Sequence, residues 1–105
     1  MKQYHAQCAK VMAKPGQRDE LVRQLTQSSE LLKDVPDCLY YLIGTTDEPD
    51  AVCISELWTS KEAKDAFGAR PDVAESMKST FVPLLASMDK PIVTTMVAGV
   101  GVSWQ

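Results

Sequence analysis

The chain reads as an α+β fold built from a strand, a helix, two hairpin strands, a helical region and a final strand. Three observations carry that reading. Hydrophobic periodicity switches from alternating to helical near Gly16, a polar turn at Thr46 to Asp50 separates two apolar runs, and β-branched residues return after Pro91.

Tyr4 to Ala13 alternates loosely and stops at Lys14-Pro15-Gly16, so it reads as a strand ended by chain breakers. From Gln17 to Lys33 the period lengthens, and Leu21, Val22, Leu25 and Leu32 share one helical face. Gly16 is the expected N-cap, with Asp19 and Glu20 in the first turn, where the helix dipole favours anions. Val35-Pro36-Asp37 ends this helix.

Cys38 to Thr45 and Ala51 to Trp58 are apolar, β-prone runs joined by about five polar residues, which is hairpin spacing. Thr59 and Glu62 match a capping box that opens a short helix to Phe67, with Gly68 ending it. After Pro71 a longer helix is expected on Val73, Met77, Phe81, Leu84, Leu85 and Met88, kinked at Pro83. Lys90-Pro91 closes it, and Ile92 to Trp104 is the expected last strand, with Gly99 and Gly101 placed to bend it away from its own sheet.

This order is the split β-α-β arrangement of the ferredoxin-like fold, an antiparallel four-stranded sheet with helices on one face. Residues 1–105 are expected to form one domain, a length within the common range of about 100–150 residues. Strand alternation puts Val52, Ile54, Glu56 and Trp58 on one face and Cys53, Ser55 and Leu57 on the other. In the second strand Leu39, Tyr41 and Ile43 oppose Cys38, Tyr40 and Leu42. Neither strand offers a charged solvent face. The uncovered face is then either a merely neutral surface or a dimer interface, and a homodimer through this outer face and the C-terminal strand is the expectation.

A formal net charge of −3, with no Lys/Arg cluster, argues against nucleic-acid binding. No stretch reaches transmembrane length and Met1 to Lys10 has no signal-like apolar run, so no membrane partner is expected. Cys8, Cys38 and Cys53 are odd in number and widely spaced, as expected for reduced thiols in a cytoplasmic protein. A single histidine and the absence of Cys-x-x-Cys leave no expected metal site.

Three segments carry a resemblance in their order and spacing. Lys14-Pro15-Gly16 ends the first strand, Pro36-Asp37-Cys38-Leu39-Tyr40-Tyr41 opens the second, and Glu56-Leu57-Trp58-Thr59-Ser60-Lys61-Glu62-Ala63 closes the third. Together they resemble the antibiotic biosynthesis monooxygenase family over roughly residues 4–97. The resemblance implies a dimeric α+β barrel. It also implies oxidation of quinols or anthrones by molecular oxygen with neither metal nor flavin, so no cofactor is expected; relatives degrade haem. Trp58 matches a pocket-lining tryptophan, and Glu56 and Tyr41 match positions commonly acidic and tyrosine. Ile54 stands where the polyketide oxygenases carry asparagine. Phe67-Gly68-Ala69-Arg70-Pro71-Asp72 stands where many quinol-type members read His-Leu-x-x-Pro-His, so both histidines are missing and haem ligation is not expected.

Cofactor-free oxygenation needs a base, a dry pocket and donors for the developing oxyanion. The catalytic candidates are Trp58, as wall and indole N–H donor, Glu56, as a desolvated base, and His5, the one side chain of a type suited to proton transfer near neutral pH. Each has a plain alternative: Trp58 as core, Glu56 paired with Lys10 or a helix residue, and His5 at a frayed strand end. Tyr41, Ile54, Phe67, Met77 and Phe81 are the candidate substrate pocket, against ordinary packing. Met12, Met77, Met88 and Met96 form either a soft lining or core. The expected function is a cofactor-independent monooxygenase acting on a quinol-like or polycyclic aromatic substrate. The alternative is a non-catalytic small-ligand-binding module, or a non-oxidative aromatic cyclase or isomerase, on the same fold.

Overall fold

The computed structural model describes residues 2–103. Trp104, the expected end of the last strand, lies outside the described residues. The long strand β1 (Tyr4–Ala13) is central. On one edge it pairs with β3 (Ala51–Trp58), from His5 opposite Trp58 to Met12 opposite Ala51, and β2 (Cys38–Thr45) pairs with the far side of β3. Its other edge is shared by β4 (Leu85–Met88), which meets Val11 to Ala13, and β5 (Ile92–Met96), which meets Tyr4 to Cys8. All pairings are antiparallel. β4 and β5 therefore lie end to end as one broken fourth strand, giving the order β2-β3-β1-β4/β5 of the ferredoxin-like fold.

Two boundaries differ from the sequence reading. The helix after Pro71 does not run to Met88. It divides into α3 (Pro71–Ser76), a π-helical turn at Met77–Phe81 and a 3-10 turn at Val82–Leu84. Pro83 cannot donate an N–H to continue a helix, and Leu85 is extended. Leu85 and Met88, three residues apart, match helical spacing; in the strand they share a face only because the register shifts between Met12 and Ala13. The open edge of β1 supplies the hydrogen bonds that make them a strand, and the Lys14 N–H donates to the Leu84 carbonyl at 2.8 Å beside that pairing. The last strand also stops at Met96 rather than running 13 residues. Gly99 and Gly101 hold φ of 149° and 105°, a region that favours glycine, and bend the following chain back. Val102 then packs on the Tyr4, Ala6 and Leu57 cluster of the same chain, and the Tyr4 hydroxyl donates to the Ser103 carbonyl.

The inner face of the sheet carries the main core. Val11, Ala13, Val52 and Ile54 pack against Leu21 and Leu25 of α1 (Arg18–Ser28) and against Phe81. Leu21 and Leu25 stand four residues apart, so they share the stripe that meets the sheet. The N-cap of α1 is Gln17, one residue past the expected Gly16, whose φ of 76° instead makes the turn out of β1. In α2 (Lys61–Gly68) the cap is Ser60, not Thr59: the Ser60 hydroxyl accepts from the Ala63 N–H at 3.1 Å. Thr59 donates to Asp37 at 2.6 Å, tying the end of β3 to the turn before β2.

The strand faces follow the expected alternation except at Leu39. The register shifts between Cys38, opposite Trp58, and Tyr40, opposite Leu57. Leu39 is thus the extra residue of a bulge and packs with Tyr40 on the outer face, while Cys38 moves to the Tyr41 side.

Candidate functional site

A cavity of about 350 Å³ lies between the inner face of the sheet and the wall formed by α2, α3 and the π-helical turn. Its floor follows from strand alternation, which turns Ile54, Glu56 and Trp58 of β3 toward the helices. Register then fixes their neighbours. Glu56 is opposite Tyr41 of β2 and Gln7 of β1, so Tyr41, Glu56 and Gln7 form one row across the sheet. Phe67 of α2 with Met77 and Phe81 of the π-helical turn cover this row. A smaller space continues between α1 and the segment from Val73 to Phe81, and shares Tyr41, Phe67, Met77 and Phe81 with the main cavity.

Glu56 is held by its own strand. The Trp58 indole N–H donates to Glu56 Oε1 at 3.0 Å. Trp58 is 1% exposed, and its ring meets Phe67 with centroids 5.5 Å apart. One carboxylate oxygen thus accepts from a buried donor, and among the described residues no hydrogen bond reaches the second. The indole N–H is directed at Glu56.

The groups around Glu56 are held neutral. Burial, then the negative charge of Glu56 and the Cys38 thiol, pushes the Tyr41 phenol above its usual range. Burial, and then Glu56, pushes the Cys38 thiol up to about 11. Tyr41 therefore remains a hydroxyl donor at any ordinary pH.

Among the sequence candidates, Trp58, Glu56, Tyr41, Ile54, Phe67, Met77 and Phe81 all line this cavity. His5 does not. It lies opposite Trp58 in the next row toward the strand end, partly buried. Lys10, an alternative partner for Glu56, is on the other face of the sheet and pairs with Glu48. Met77 and Met88 reach the cavity. Met96 packs in the outer cluster, and Met12 falls by alternation on that same outer face.

Two polar lining residues were not singled out from sequence, Gln7 and Lys64. Lys64 stands three residues before Phe67 on α2, so helical spacing from that aromatic candidate was the available signal. Gln7 becomes visible only once β1 is registered against β3. Among the described residues no group of three or more His, Cys, Asp or Glu side chains converges to hold a metal ion. No helix in the described chain is long and apolar enough to cross a membrane.

Residues 5–79 match the family described as Antibiotic biosynthesis monooxygenase. A crystal structure from Chloroflexus aurantiacus J-10-fl, named as a candidate antibiotic biosynthesis monooxygenase, is 32% identical in sequence. It superposes with a TM-score of 0.83, covering 95% of this chain and 99% of that one. Protein SO0527 from Shewanella oneidensis shares the fold at 18% identity and a TM-score of 0.77, covering 91% and 95% of the two chains. A protein from Caulobacter crescentus CB15, also named as a candidate antibiotic biosynthesis monooxygenase, shares it at 17% identity and 0.75, covering 94% and 92%. No curated protein matches this sequence.

Proposed function

The chain belongs to the antibiotic biosynthesis monooxygenase family, and from that premise we propose that it is a cofactor-independent monooxygenase oxidising a quinol-like or polycyclic aromatic substrate with O2 in the inner-face cavity. The observation that carries this reading is the Glu56 carboxylate, set in an aromatic cavity by the Trp58 indole at 3.0 Å. A planar ring fits between Ile54, Phe67, Met77 and Phe81, with its acidic O–H or C–H toward Glu56.

The steps balance without a bound group. Glu56 takes a proton from the substrate, and the resulting carbanion or phenolate gives an electron to O2. Recombination forms a carbon–oxygen bond and a peroxide, to which Glu56 returns its proton. Loss of the second hydrogen from that carbon breaks the O–O bond. One oxygen atom stays on the ring carbon as a carbonyl and the other leaves as water. The Tyr41 hydroxyl and Gln7 amide are the donors placed beside Glu56 for the charge that develops on oxygen.

The working unit is a homodimer built on the outer sheet face. Leu42, Ser55, Cys8 and Ile92 form one row across β2, β3, β1 and β5 there, and Leu42 and Ile92 are 59% and 69% exposed. The C-terminal segment folds against the same face, and in this reading it belongs to the interface. The single domain is a cytoplasmic protein in this reading, in keeping with three free thiols.

One observation favours the second reading, a binding module or a non-oxidative cyclase or isomerase. Ile54 is buried and apolar where the resembled polyketide oxygenases carry an amide donor. Oxygen uptake by metal-free protein over a panel of quinols and anthrones separates the two. Uptake matched by oxidised product supports the oxygenase, and tight aromatic binding without uptake supports the alternative.

A further inference from the structure

We propose that the cavity selects aromatics bearing a second, anionic oxygen substituent, a carboxylate or an ionised phenol, which Lys64 binds while the reacting group faces Glu56. The inference rests on the aromatic-binding reading of this cavity. Lys64, Phe67 and Gly68 stand at i, i+3 and i+4 on α2 and all line the cavity, so the lysine stem runs along its apolar wall. Gly68 leaves room beside it: a Cβ at that position meets nothing within 4 Å.

Among the described residues the Lys64 ammonium has no internal counter-ion and forms no ion pair. Asp65, its neighbour in sequence, is held by Lys61 at 2.6 Å. Glu56 shares the cavity but takes its contact from Trp58. The nearby guanidinium of Arg70 is also committed, stacked 5.3 Å from the Phe67 ring centroid and paired with Asp72 at 2.6 Å. Lys64 is therefore the free cation among the described residues lining the cavity. A partly buried ammonium beside apolar walls gains more from an anionic ligand than an exposed one does, because less water competes for it. A neutral ring fills the walls and leaves that charge unpaired. A ring with a separate anionic oxygen satisfies both.

The test titrates wild-type, Lys64→Met and Lys64→Arg protein with anthraquinone-2-carboxylate and with its uncharged 2-hydroxymethyl analogue, read by quenching of tryptophan fluorescence. Wild type is expected to bind the carboxylate about tenfold more tightly, the size of one charge-assisted hydrogen bond in a partly dry site. Lys64→Met should erase that preference, and Lys64→Arg should keep it. A preference that survives in Lys64→Met, or wild type binding both probes equally, overturns the inference and leaves the cavity as an aromatic site. Wild type binding neither probe overturns the inference together with the reading beneath it.

Discussion

The Trp58 indole and the Glu56 carboxylate, two residues apart on one face of β3, are joined by a hydrogen bond of 3.0 Å. Alternation puts both side chains on the helix-covered face, and near-complete burial of Trp58 fixes the donor. This pair couples packing to the proposed chemistry: the residue that anchors the aromatic wall also holds the carboxylate.

Trp58→Phe keeps a ring against Phe67 and deletes the N–H. It is expected to cost about 1–3 kcal/mol in urea denaturation, from the lost bond and the smaller ring. Turnover should fall through kcat more than KM, because the base is loosened while the walls remain. An unchanged midpoint and unchanged kcat would show that the pair does nothing.

Association is expected to run through the outer face. Leu42→Glu and Ile92→Lys, at opposite ends of the row through Ser55 and Cys8, should each weaken self-association at least tenfold by equilibrium sedimentation. Truncation after Val97 removes Val102 and Ser103 from Tyr4 and should weaken it too. Unchanged association in all three would place the interface elsewhere.

Gly68 closes α2 without a positive φ, and a Cβ there meets open space. Gly68→Ala should therefore raise stability by about 0.5 kcal/mol, by restricting the unfolded chain. Thermal unfolding checks this, and a lowered midpoint would mean the site needs glycine's freedom.

Alkaline pH should destabilise the fold through Tyr41 and Cys38. Burial is the first cause for both, and it raises the folded-state values above the unfolded ones of 10.0 and 9.0. The folded chain then holds protons that the unfolded chain has released, so this contribution is complete below about pH 9 and is lost as pH rises past it. Denaturant midpoints measured from pH 8 to 11 should fall. In the same range iodoacetamide should label Cys38 slowly, and labelling at the rate of the unfolded chain would contradict the burial assigned to it.

The sequence carried the order of elements and the face of each long strand because both depend on local periodicity. Ile54, Glu56 and Trp58 came out together for that reason, and Tyr41 joined them because the bulge at Leu39 lies before it rather than after. Lys10 separates from Glu56 only through the β1–β3 register, which sets it opposite Cys53 on the outer face. β4 was hidden because Leu85 and Met88 stand at helical spacing and share a strand face only through the register shift at Met12 and Ala13, which the open edge of β1 imposes. Lys64 and Gln7 needed tertiary packing to show that they meet.

The most direct measurement compares oxygen uptake by metal-free wild type and Glu56→Gln on an anthrone or quinol that both proteins bind, with circular dichroism to show that both are folded. The variant is expected to bind the substrate and to lose about 10²–10⁴-fold in turnover, the usual size of a positioned general base. Turnover in Glu56→Gln equal to wild type would contradict Glu56 as the base.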